Sequence, residues 1–170
     1  MLGPTLTDRV RGPLAGAIGL RPAVAADEPF LYRVFASDRA LQLRLVDWDD
    51  DQKAALLRMQ FVAQNASYRQ AFPGSAYEVI LKDGEPAGRL FLHRETDLIR
   101  VVDIGLLPEH RNQGIGGALL KAVLDEAALA DKTVRLRVES LNRAVRLYER
   151  LGFASIGTDG AHIEMEFVSS

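Results

Sequence analysis

The chain has 170 residues, 48% of them hydrophobic and 26% charged, with a formal net charge of -2; this suits one soluble domain with a core of useful size and gives no reason in bulk charge to expect a nucleic-acid partner. It contains no cysteine, which excludes structural disulfides, thiolate metal sites and cysteine nucleophiles and fits a cytoplasmic setting. No apolar run approaches the roughly 20 residues needed to cross a bilayer, so no membrane partner is expected.

Residues 1–17, with two prolines and scattered charges, read as a loose N-terminal arm rather than a secretory leader. The domain is placed at 18–170. Ile18–Val24 suits a short first strand. "ADEPFLYRVFASD" follows, with acids and a proline at its start, both helix-entry signals, and Phe30, Leu31, Val34 and Phe35 form a helical stripe. Acids cluster at the head of "DWDDDQKAALLRMQFVAQNASYRQ", where a helix dipole favours them. Trp48, Leu56, Leu57, Gln60 and Phe61 would bury one face of this second helix, with Trp48 as an anchor in the core or else a surface for a bound acceptor molecule.

The period then changes from helical to alternating. "AYEVILKDGEPAGRLFLH" alternates around Asp83-Gly84, a strong hairpin signal. "DLIRVVDIGLL" is mostly apolar, as a central strand would be. After "PEHRNQGIGG" a helix is marked by Ile115, Ala118, Leu119, Ala122, Val123 and Ala127. "KTVRLRVES" is a further strand, and "NRAVRLYERLGF" a short helix stopped by Gly152. "FASIG" and "HIEMEFV" close the chain as a hairpin across Asp159-Gly160. This order implies an α/β (α+β) fold around one mixed sheet, with a right-handed crossover in the middle.

The glycines at 114, 116 and 117 stand where a helix begins. The first turn of a helix has unpaired N–H groups and a partial positive charge, and glycine lets an anion approach that backbone. The alternative is a tight turn that only packs helix on sheet. A Walker loop is disfavoured, because Ala118-Leu119-Leu120 stand where Lys and Ser or Thr are needed. A dinucleotide fingerprint is disfavoured too: Leu119 replaces the third small residue, and no acid lies at the right place on a following strand.

"RNQGIG", Arg111–Gly116, within "LLPEHRNQGIGGALL", resembles the first signature of the GCN5-related N-acetyltransferases, and "LYERLGF", about thirty residues later, resembles their second. The resemblance runs from about Ile18 to Val168. It implies a mostly antiparallel mixed sheet with helices on both faces and splayed central strands. It further implies acetyl-CoA as co-substrate, no metal, and a small-molecule or peptide amine as acceptor; family members are often homodimers. In that family backbone N–H groups of this loop bind the coenzyme's pyrophosphate, which implicates Asn112, Gln113, Gly114, Ile115, Gly116 and Gly117, with Arg111 holding the loop or meeting phosphate. Ile104 and Leu106 would meet the pantetheine arm through their main chain. Tyr148 matches a tyrosine near the leaving thiolate. Asn142 resembles an asparagine that touches the cofactor, although it stands six residues before Tyr148, one fewer than is usual there; its other role is a helix cap.

The expected activity is transfer of acetyl from acetyl-CoA to a primary amine by direct attack, since no cysteine can carry the acyl group. A second possibility is a catalytically weak acyl-CoA sensor or scaffold of the same fold. Asp103 on the central strand is the first candidate for a base or ammonium contact, or else it is an ion pair with Arg100, Arg89 or Arg137. Glu139 is the second candidate and His93 the third. Asp47–Asp51 are either acids at a helix start or a lip that attracts a cationic acceptor.

Overall fold

The computed structural model describes residues 3–169. Seven strands form one open sheet: β1 (Ile18–Pro22), β2 (Ala76–Lys82), β3 (Glu85–Arg94), β4 (Leu98–Leu106), β5 (Thr133–Glu139), β6 (Ala154–Thr158) and β7 (His162–Phe167), in the order β1-β2-β3-β4-β5-β7-β6. Every pairing is antiparallel except β4 with β5. The helices are α1 (Glu28–Leu43), α2 (Asp50–Ala71), α3 (Ile115–Leu129) and α4 (Ala144–Leu151).

Local chemistry accounts for the turns. Asp83 and Gly84 both take positive φ, 50° and 82°, the conformation that a two-residue hairpin needs between right-twisting strands. The Asp49 carboxylate accepts from the Gln52 N–H at 2.8 Å, and the Gln52 side chain accepts from the Asp49 N–H at 3.1 Å. This reciprocal cap starts α2 and accounts for an acid at its head. Gly152, at φ 104°, ends α4, and the Phe153 N–H returns to the Tyr148 carbonyl.

Both faces of the sheet are covered. On one, α3 sinks Ile115, Leu119, Leu120, Ala122, Val123 and Ala127 into the main core against Leu90, Leu92, Ile99, Val101, Val134 and Leu136. Each of the larger of these side chains contributes about 1.5–3 kcal/mol by leaving water. On the other face, Leu31, Phe35, Phe61 and Val79 form a smaller core beneath α1 and α2.

Two expectations need correction. Residues 3–17 are not a loose arm: they make two 3-10 turns, Thr7–Arg9 and Gly12–Leu14, and bury Leu6 and Val10 in the main core. The apolar spacing there is too short to signal a helix, so only the tertiary contact reveals it. Trp48 is not a core anchor. It precedes α2 and is 46% exposed, because the capping residue Asp49 starts the helix after it.

Candidate functional site: a parted sheet beside a glycine-rich helix start

β4 and β5 pair in parallel only from Leu98 to Val101 and from Thr133 to Leu136. Beyond that point β4 stays with β3 and β5 stays with β7, so residues 102–106 and 137–139 have no partner across the gap. Val102 is the extra residue of a bulge, since Phe91 opposes Asp103 while Leu92 opposes Val101. A bulge bends its strand and raises its twist, which turns the end of β4 away from β5. The two facing edges are left with backbone groups that no neighbouring strand pairs, to which an extended chain of amides can pair; the Leu106 carbonyl is the exception, taken by a side chain.

At the mouth of the gap, a 3-10 turn at Pro108–His110 leads into α3. Asn112 and Gly114 take positive φ, 59° and 82°. The first bond of α3 runs from the Ala118 N–H to the Gly114 carbonyl, and no side chain caps the helix start. The N–H groups of Ile115, Gly116 and Gly117 therefore lack helical acceptors. A Cβ on Gly116 would meet nothing within 4 Å, whereas one on Gly117 would touch Leu147 at 3.7 Å. Gly116 thus keeps space open in front of the helix, and Gly117 lies beside Leu147 of α4 at ordinary packing distance.

Of the predicted site residues, Asp103, Ile104, Leu106 and Glu139 stand on the parted ends of β4 and β5. Ile104 and Leu106 lie on the unpaired stretch of β4 with half-buried side chains. Arg111 turns back: its Nε donates to the Leu106 carbonyl at 3.0 Å, and its Nη2 donates to Ser37 Oγ at 3.1 Å and Asp38 Oδ1 at 3.0 Å. It fastens the loop and the end of β4 to α1. Tyr148 is buried, edge-on to Phe153 with ring centroids 5.9 Å apart. Burial pushes its hydroxyl up to about 12, and the negative charges of Asp103 and Asp38 push the same way, so it remains a proton donor at neutral pH. The Asn142 side chain accepts from the Ala144 N–H at 2.8 Å, which is the capping role.

Asp103 faces Arg89, the second of the three ion-pair partners its sequence suggested. Their charged atoms lie 2.9 Å apart, at an angle short of a hydrogen bond. Arg89 is 2% exposed, and its Nε and Nη1, like the buried Tyr77 hydroxyl, have no hydrogen-bond partner. Burial opposes the Arg89 charge, but Asp103, Tyr77, Asp38 and Tyr68 sustain it and its pKa is raised. Glu139 accepts from Gln42 Nε2 at 2.9 Å, with Arg39 at 3.9 Å, so it ties the end of β5 to α1. His93 lies away from the gap: its Nδ1 bonds Ser75 Oγ, its ring packs on Phe72, and it pairs opposite Arg100.

One acid in this cluster escaped the sequence. Asp38 projects from α1 over the backbone of Gly105, where a Cβ would come within 3.0 Å of Asp38 Oδ2, and it lies 3.7 Å from Arg89. Desolvation raises its carboxyl to about 6 against the opposing pull of Arg89. The available signal was its position four residues after buried Val34, on the inward stripe of the helix.

The family model for the acetyltransferase (GNAT) domain matches residues 47–169. The chain belongs to that family. Among solved structures, the PaiA N-acetyltransferase of Thermoplasma acidophilum, in complex with coenzyme A, shares the fold with a TM-score of 0.67 at 18% identity, over 89% of this chain and 99% of that one. The ribosomal-protein-S18-alanine N-acetyltransferase of Escherichia coli gives a TM-score of 0.60 at 22% identity, over 90% and 94%. Mycothiol acetyltransferase of Propionibacterium freudenreichii subsp. shermanii is 34% identical over 80 residues. That stretch spans 46% of this chain and only 22% of the relative.

Proposed function

We propose that the protein transfers an acetyl group from acetyl-CoA to a primary amine by direct attack. The observation that carries this is the parting of β4 from β5 beside a cradle of unpaired N–H groups. The cradle suits a diphosphate through residues 112–117. The gap suits the amide-bearing arm through the main chain of Ile104 and Leu106, as an added strand would pair. The arm then delivers the thioester to Asp103, Asp38 and Tyr148. Coenzyme A in the PaiA complex and the acetyltransferase names of the relatives support the same chemistry.

In the reaction the amine nitrogen attacks the thioester carbonyl, a tetrahedral oxyanion forms, and the carbon–sulfur bond breaks. Backbone N–H groups on the open edge of β4 stabilise the oxyanion. The Tyr148 hydroxyl donates to the departing sulfur. Asp103, fixed by Arg89, draws the acceptor ammonium, and Glu139 closes the same side from β5. Asp38, whose carboxyl titrates near 6, takes the ammonium proton directly or through water.

The test is thiol release from acetyl-CoA across a panel of amines. Turnover on at least one amine is expected, with Tyr148→Phe lowering kcat by about a hundredfold or more while coenzyme affinity holds. Coenzyme binding with no turnover on any amine would favour the sensor or scaffold instead.

A further inference from the structure

The segment before β1 does more than cover the core. Arg9, Arg11 and Pro13 form one wall of a groove of about 410 Å³, and Ala118, Lys121 and Asp125, successive positions along one face of α3, form the other. Three cations therefore share this groove with one carboxylate. Among the described residues none of the three cations is paired with an acid. Arg11 reaches only the Asp8 carbonyl, at 3.3 Å, and the Nε of Arg9 is out of solvent with no hydrogen-bond partner. Like charges gathered around a concave surface repel one another unless an anion sits among them.

The groove begins where the cradle ends. The Leu14 side chain lies 3.8 Å from the position of a Cβ on Gly114, and Ala118 is the residue whose N–H closes the first turn on Gly114. Lys121 follows within about 10 Å along the helix axis. A ribose that leaves a diphosphate at Gly114–Gly117 on the side of Leu14 and Ala118 would reach the groove's mouth. We infer that the groove takes the ribose 3′-phosphate of the coenzyme, held by Arg9, Arg11 and Lys121, so that the segment before the first strand is part of the coenzyme site. This rests on the proposed use of acetyl-CoA. The group is a phosphomonoester, largely dianionic at neutral pH, and guanidinium pairs suit it better than they suit a monoanion.

The experiment is calorimetric titration of the full chain with CoA and with 3′-dephospho-CoA, repeated at two salt concentrations. The wild type is expected to bind CoA about tenfold tighter than the dephospho form, a difference that shrinks with salt. The Arg9→Ala/Arg11→Ala variant should bring CoA down to the dephospho value and leave the dephospho value itself unchanged. Lys121→Glu, on an exposed face of α3, reads the same difference if the arginine variant fails to fold. Equal affinity for both coenzymes in the wild type, or variants that weaken both alike, would overturn the inference while sparing the proposed function. If neither coenzyme bound, both would fall together.

Discussion

At the scale of the residue, the site is a small society of charges around one buried guanidinium. Arg89 could not stand alone at 2% exposure, because an unpaired buried charge costs several kcal/mol. Asp103 and Asp38 offset that cost, and Asp103 stands on the parted stretch of β4 itself. Their environments differ: Asp103 is held at 2.9 Å, Asp38 at 3.7 Å, and Asp38 rises to about 6. If Asp38 must be ionised to accept the ammonium proton, kcat/KM falls as pH drops through about 6, and Asp38→Asn removes that limb from the pH–rate profile. The linkage runs the other way for folding. The folded chain holds this proton more tightly than the unfolded one, so ionising Asp38 costs stability as pH rises from about 4 to about 6. Asp38→Asn is therefore expected to leave the Tm at pH 7 unchanged or higher, which separates a lost base from a damaged fold.

At the scale of the element, two glycines at the start of α3 do different work. Gly114 sits at φ 82°, where any side chain strains the backbone by about 1 kcal/mol. Gly116 is helical and faces open space. Gly116→Leu is thus expected to leave the Tm unchanged or slightly raised, since leucine is the better helix former, while coenzyme affinity falls at least about tenfold because the side chain fills the space in front of the unpaired N–H groups. Titration of the variant beside its melting curve checks both halves. Strand β3 holds a third kind of glycine. A Cβ on Gly88 would clash with the Gly105 carbonyl, so this glycine lets β3 follow β4 along its bent end while β5 parts from it.

At the scale of the whole molecule, two cores clamp one sheet, and the segment before β1 closes the larger. Leu6 is 7% exposed and packs in that core with α3 and the sheet. Leu6→Ala is expected to cost about 2–3 kcal/mol, read as a lower midpoint in denaturant with an unchanged slope. By itself the sequence determined what short-range chemistry determines: the Asp83-Gly84 hairpin, the strand–glycine–helix unit from Leu98 through Leu129, the stop at Gly152 and the family signatures at Arg111–Gly116 and Leu147–Phe153, because spacing, turn residues and helix caps act within a few positions. Only the tertiary structure decided which charges share the gap. Asp38 and Arg111 are 73 residues apart in the chain yet 3.0 Å apart in space, and Leu14 reaches Gly114 from the far end of the sequence. Such neighbours are set by how helices pack across a sheet, and no local pattern of residues records that.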